Sequence, residues 1–86
     1  MTTLSAANTF APAVNKQAKV GYSVSISGTF VGTITLQRSK DGITWVDFAS
    51  YTVPAELDGE FGTQYYVRAG FKTGGWTSGS ADVYVY

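Results

Sequence analysis

Eighty-six residues, 44% hydrophobic and without cysteine, make one small domain that buries roughly 60–65% of its unfolded-chain surface; no disulfide framework or thiolate metal site is open to it. Six Lys or Arg balance six Asp or Glu, and the cations Lys16, Lys19, Arg38, Lys40, Arg68 and Lys72 are scattered, so the basic stripe that displaces counterions from nucleic-acid phosphates is missing. Without histidine, Ser–His and Cys–His nucleophilic machinery is excluded, and the expectation is that the chain is not an enzyme.

The longest apolar run falls far short of the roughly 20 residues that span a bilayer. The opening MTTLSAANTF has no basic region followed by a continuous apolar core, so the expectation is a soluble chain that is neither Sec-exported nor membrane-bound. Abundant Thr, Ser and Gly with 15% aromatics favour strands over helices.

In chain order, Phe10, Ala11, Ala13 and Val14 flank Pro12, and residues 1–19 read as an edge strand or an extended arm preceding a single β-sandwich domain over 20–86. Tyr22, Val24 and Ile26 alternate with Ser23, Ser25 and Ser27, a period of two that sets an apolar face against a hydroxyl face. Gly28 and Gly32 bracket a short TFV segment, and Ile34 and Leu36 alternate with Thr33, Thr35 and Gln37 as a further half-buried strand. Asp41–Gly42 supplies a two-residue hairpin turn. Beyond it, Val46 and Phe48 share one face, and Trp45, Asp47 and Tyr51 the other.

Pro54 ends that strand, since it cannot donate to a ladder, and Asp58–Gly59 reads as another tight turn. Tyr65, Val67, Ala69 and Phe71 share a face opposite Gln64, Tyr66 and Arg68; KTGGWTSG is a turn by composition; and Ala81, Val83 and Val85 point inward opposite Asp82, Tyr84 and Tyr86. About seven short strands at this spacing, with no helical pattern, predict an all-β fold, an immunoglobulin-like Greek-key β-sandwich.

Residues with chemical potential are few. Glu56, Asp58 and Glu60 cluster near one turn, where they hold a calcium ion or keep a hairpin soluble; the second reading is preferred, and neither metal nor cofactor is expected. No Gly-x-x-x-x-Gly-Lys-Ser/Thr loop is present to cradle phosphate. If the last two long strands pair as a hairpin, Tyr66, Arg68, Tyr84 and Tyr86 form one outward aromatic face, either a protein interface or ordinary cross-strand stacking. Trp76, beside Gly75, anchors a partner or a sugar ring, or caps the sandwich. The chain stops on Tyr86 without a polar tail, which suggests a last strand pinned in a sheet or against a neighbour.

Ser39-Lys40-Asp41-Gly42-Ile43-Thr44-Trp45 resembles a shortened Asp-box, the hairpin of sialidase propellers, with one residue missing between Asp and Gly. The residue types account for a structural hairpin: Ser39 or Thr44 bonding across the Asp41–Gly42 turn and Trp45 folding over it.

The run VSISGTFVGTITLQRSKDGITWVDFASYT, followed by GTQYYVRAGF, resembles small β-sandwich proteins encoded among bacteriophage virion genes, over about Val20 to Phe71. Tyr65-x-Val67-x-Ala69 looks like the tyrosine-corner strand of immunoglobulin and fibronectin type III domains. The first resemblance implies a bacteriophage virion structural protein made in the host cytoplasm: a capsid decoration protein, head-fibre base or tail-associated module. It implies a homo-oligomer, a trimer by preference, that binds the major capsid protein or another virion protein, with residues 2–19 reaching to neighbours. The alternatives are a carbohydrate- or host-surface-binding sandwich, with Trp45, Trp76 and the outward tyrosines against sugar rings, and a tail or baseplate adaptor.

Overall fold

The Tyr22–Ser27 alternation lies, in the computed structural model, within a strand of 11 residues. The structure describes residues 2–86, and among them every regular element is a strand: β1 (Thr2–Leu4), β2 (Thr9–Phe10), β3 (Val14–Lys16), β4 (Tyr22–Gly32), β5 (Ile34–Ser39), β6 (Val46–Tyr51), β7 (Ala55–Gly59), β8 (Tyr65–Phe71) and β9 (Trp76–Val85). Nine strands thus replace the expected seven, because residues 2–16 contribute three short ones. They form a β-sandwich of two antiparallel sheets. One has the order β1-β9-β4-β7, and the other β2-β8-β5-β6 with β3 also on β8.

The inward rows of the two sheets make the core. Val24, Ile26, Ala81, Val83 and Val85 of the β4 sheet face Ile34, Leu36, Val67, Ala69 and Phe71 of the β5 sheet, all buried. Burying each large aliphatic or Phe side chain here contributes about 1.5–3 kcal/mol, more than an exposed ion pair supplies. An aromatic cluster closes one end: Tyr22 stacks on Phe61 with centroids 4.9 Å apart, and Phe48 and Tyr65 meet Phe61 edge-on.

Gly28 does not interrupt β4. The chain changes sheets later, at Gly32, whose φ of 149° lies outside the range L side chains favour and where a Cβ would stand 2.3 Å from the Gly75 carbonyl oxygen. A single residue, Thr33, separates the strands, and its N–H donates to that same oxygen (2.7 Å). The close approach explains why glycine is needed there.

Three expectations about facing and pairing are corrected. Leu36 opposes Ala49 but Gln37 opposes Asp47, so Phe48 is the extra residue of a β-bulge. Parity switches at that point, and Tyr51 opposes Ile34 and packs on the core instead of sharing a face with Trp45 and Asp47. Asp58–Gly59 is no turn; it ends β7, opposite Ser23 and Tyr22. Most consequentially, β8 and β9 are not a hairpin. Residues 72–75 carry the chain from one sheet to the other, which places Tyr66 and Arg68 on the opposite side of the molecule from Tyr84 and Tyr86.

Three short stretches of the N-terminal segment are strands, and the residues between them are not. β1 pairs with β9 (Leu4 opposite Ala81), and β2 and β3 pair with β8 (Phe10 opposite Gly70, Val14 opposite Val67).

Candidate functional site

The sequence-predicted residues fall into three places. The outer face of the β5 sheet is a closed polar layer. Thr35, Gln37 and Ser39 are buried there, opposite Gly70, Arg68 and Tyr66 of β8. The Arg68 guanidinium lies between two rings, 4.0 Å from the Phe10 centroid and 4.2 Å from that of Trp45. Its Nε donates to Gln37 Oε1 (2.8 Å), Gln37 Nε2 donates to Asp47 Oδ1 (2.7 Å), and Asp47 Oδ2 takes the Lys72 ammonium at 2.6 Å. The Lys72 hydrogen bond, then that of Gln37, lowers the Asp47 pKa, while burial lowers that of Arg68. The arrangement ties β2, β5, β6 and β8 together.

Trp45 therefore covers Arg68, and the ring against Gly42 of the turn is that of Tyr66. The hairpin connection is also longer than a two-residue turn, running from Lys40 to Trp45. Asp41 Oδ1 accepts from the Ser39 hydroxyl (2.8 Å) and the N–H groups of Ile43 (2.8 Å) and Thr44 (2.9 Å), while Ser39 Oγ accepts from the Gly42 N–H (2.9 Å). The Thr44 and Ile43 amides and the Ser39 hydroxyl hold the Asp41 pKa down at about 2. Gly42 has φ 77° and lies against the Tyr66 ring, which its Cβ would reach at 3.7 Å. Tyr66, expected at an exposed interface, is half-buried beneath the turn.

Trp76 opens β9 instead of lying in a loop. It packs on the core, and its Nε1 donates to the Gly79 carbonyl (3.0 Å). Both indoles proposed as sugar platforms are thus already engaged within the fold.

Tyr84 and Tyr86 remain outward, 44% and 48% exposed, with rings stacked at 4.5 Å and 19°. Ser25 opposes Tyr84, and two backbone hydrogen bonds (2.7 and 2.9 Å) join Ser23 to Tyr86. On the other side of β4, Glu56 and Asp58 of β7 oppose the same two serines, and Ser25 Oγ donates to Glu56. Small serine side chains leave a trough between a tyrosine row and a carboxylate row, with a cavity of about 210 Å³ lined by Ser23, Glu56, Leu57, Asp58 and Tyr86. Across the trough's far flank, Asp82 accepts from Thr3 (2.6 Å). The four strands of this sheet contain Glu56, Asp58 and Asp82 and no Lys or Arg.

Sequence reasoning missed a second cavity, of about 270 Å³, beside the hairpin. It is lined by Arg38, Ser39, Lys40, Asp41, Thr44, Val46 and Tyr65. Arg38 shares the inward parity of Ile34 and Leu36, and its guanidinium caps the aromatic cluster, 4.7 Å from the Tyr65 centroid and 5.4 Å from that of Phe61. The signal was available: a cation at the third inward position of a strand whose first two are Ile and Leu. Among the described residues no group of three metal-ligating side chains occurs, and Glu56 and Asp58 serve the trough. No family model, curated protein or solved structure matches the chain.

Proposed function

We propose that this chain is a non-enzymatic structural protein that joins a larger protein assembly through the tyrosine face of the β4 sheet. The observation that carries this reading is the exposed Tyr84–Tyr86 stack at the end of β9, held on one side by β4 through the Ser25–Tyr84 pairing and the Ser23–Tyr86 backbone hydrogen bonds. Stacked tyrosines give large contact area for little lost side-chain freedom, and tyrosine is among the residues that dominate interface energetics. The carboxylates beside them, without a cation in the same sheet, select a partner surface bearing Lys or Arg.

The finer identity rests on the sequence resemblance of Val20–Phe71 to phage virion β-sandwich proteins: the assembly is a phage shell, and the chain is a decoration protein that stabilises it by binding assembled but not dissociated subunits. Co-sedimentation with purified phage particles, alongside light scattering of the free protein, tests it. Wild type is expected to pellet with the particles. The Tyr84→Ser/Tyr86→Ser double variant is expected to lose at least about 30-fold in affinity, as for a residue pair worth 2 kcal/mol or more, while its melting temperature is nearly unchanged. Equal pelleting of the variant would remove the tyrosine face from the interface. Failure of wild type to pellet, with saturable retention on polysaccharide, would replace the virion reading by the glycan one.

A further inference from the structure

A second contact surface, separate from the tyrosine face, is built into the hairpin end of the β5 sheet. The planar faces of an arginine stack well on aromatic rings, and its N–H edge requires acceptors. Arg38 has the first without the second. Its guanidinium rests among Tyr65, Phe61 and Phe48, yet among the described residues no side chain or backbone oxygen accepts a side-chain hydrogen bond from it, and the one ion pair is Lys72–Asp47. Lys40, whose Nζ is 6.0 Å from the Tyr65 centroid, is likewise without a carboxylate partner.

The acid that lines the cavity does not neutralise these cations. Asp41 gives its Oδ1 to Ser39, Ile43 and Thr44, and those hydrogen bonds, not a nearby positive charge, set its low pKa. Apolar surface adjoins these polar groups: Val46 is 57% exposed on the cavity wall, and Ile43, in the same hairpin connection, is 82% exposed. A volume of about 270 Å³ lies below the usual range for cofactor-sized ligands and suits one or two side chains.

We propose that this cavity receives the carboxylate of an Asp or Glu side chain carried on an acidic-apolar segment of a partner protein. The carboxylate takes the Arg38 fork in a bidentate pair with Lys40 as second cation, and the neighbouring apolar residue covers Val46 and Ile43. The rings that hold the guanidinium reduce the ordering cost of binding. With the tyrosine face on the other sheet, the protein becomes a two-sided connector.

The test is a two-dimensional ¹H–¹⁵N NMR titration of the whole chain, following the Arg38 Nε–H signal, with an N-acetylated, C-amidated Leu-Glu-Leu peptide. Acetate and inorganic phosphate are the free-anion controls, and the Leu-Gln-Leu peptide the uncharged one. The expected result is saturable movement of Arg38, Lys40 and Val46 signals, with affinity at least about tenfold lower for the Gln peptide and for Lys40→Gln, a loss of about 1.4 kcal/mol. Arg38→Lys keeps the charge, loses the fork and is expected to weaken binding similarly. Equal binding of the Gln peptide, shifts located elsewhere, or an identical response to acetate or phosphate would overturn the proposal. The Tyr84→Ser/Tyr86→Ser variant is expected to bind the peptide as wild type does, so failure of either surface is read separately.

Discussion

Arg68 and Arg38 occupy the same β5–β8 ladder and both lie on aromatic rings, yet they end in opposite states. Arg68 is enclosed: Phe10 and Trp45 cover its two faces, Gln37 takes its Nε–H, and the chain of polar contacts runs on to Asp47 and Lys72. Arg38 is stacked but open at its donor edge, facing a cavity with a second cation. A guanidinium whose donors are satisfied inside the fold holds strands together; one whose donors face outward is available for recognition. The difference comes from neighbours across the strand. Arg68 opposes Gln37, which can both accept and donate, whereas Arg38 opposes Val46 and Val67.

The largest expected effect tests that division directly. Arg68→Ala removes the filling of a two-ring sandwich and leaves the buried Gln37 with an unpaired carbonyl, a combination that costs about 3 kcal/mol, or roughly 15 °C in a domain of this size. Arg38→Ala loses ring contact alone, because no protein acceptor among the described residues takes its donors, and is expected to cost about 1 kcal/mol. Urea denaturation of the two variants side by side decides it. Equal losses would mean that Arg38 is as much a structural cap as Arg68, and the contrast would collapse.

Gly70→Ala attacks the enclosed arginine from behind. A Cβ there would meet the Thr9 carbonyl oxygen at 2.3 Å and Phe10 Cα at 2.6 Å, so β2 must lift and draw Phe10 away from Arg68. Overpacking of this kind costs about 1–3 kcal/mol. The expected signature is a lower unfolding midpoint together with loss of the ring-current shift on the Arg68 side-chain protons. A variant as stable as wild type, with that shift intact, would show that the edge strand yields freely and that Phe10 contributes little to the enclosure.

The same comparison marks what the sequence could and could not reveal. Strand character was legible wherever one face is buried and the other wet, as in Tyr22–Ser27, where the period of two leaves no alternative. The sheet partner of β9 was not, because its inner row, Ala81, Val83 and Val85, would fill a core equally well beside β8 or beside β4. The long β4 won it, with a ladder from Val24 to Gly32. Tyr51 was misplaced by the single bulge at Phe48, which no residue type announces. Asp58–Gly59 carried turn chemistry for another reason: Gly59 lies under the Tyr22 ring, where a Cβ would come within 2.8 Å of the hydroxyl oxygen. Within the candidate site, Tyr84 and Tyr86 pointed outward as their alternation required, while Tyr66, Arg68 and Trp45 were drawn into a layer formed by the hairpin and β2, a tertiary event that period alone does not encode.

The smallest expected effect concerns the acid between the two regions. Asp41 titrates in the folded protein at about 2, below its ordinary 3.8, so the folded state favours its ionised form. Its contribution to stability is fully present above the unfolded value and is lost as pH falls from about 4 through about 2. The melting temperature of Asp41→Asn should therefore lie slightly below that of wild type at neutral pH, with the gap narrowing toward pH 2. Carboxyl ¹³C titration separates the cause. If the turn amides and the Ser39 hydroxyl hold Asp41 down, Ser39→Ala raises its pKa and Arg38→Ala leaves it in place. A rise in Arg38→Ala would make Asp41 the internal partner of Arg38, and the cavity would then be closed by charge from within rather than open to an incoming carboxylate.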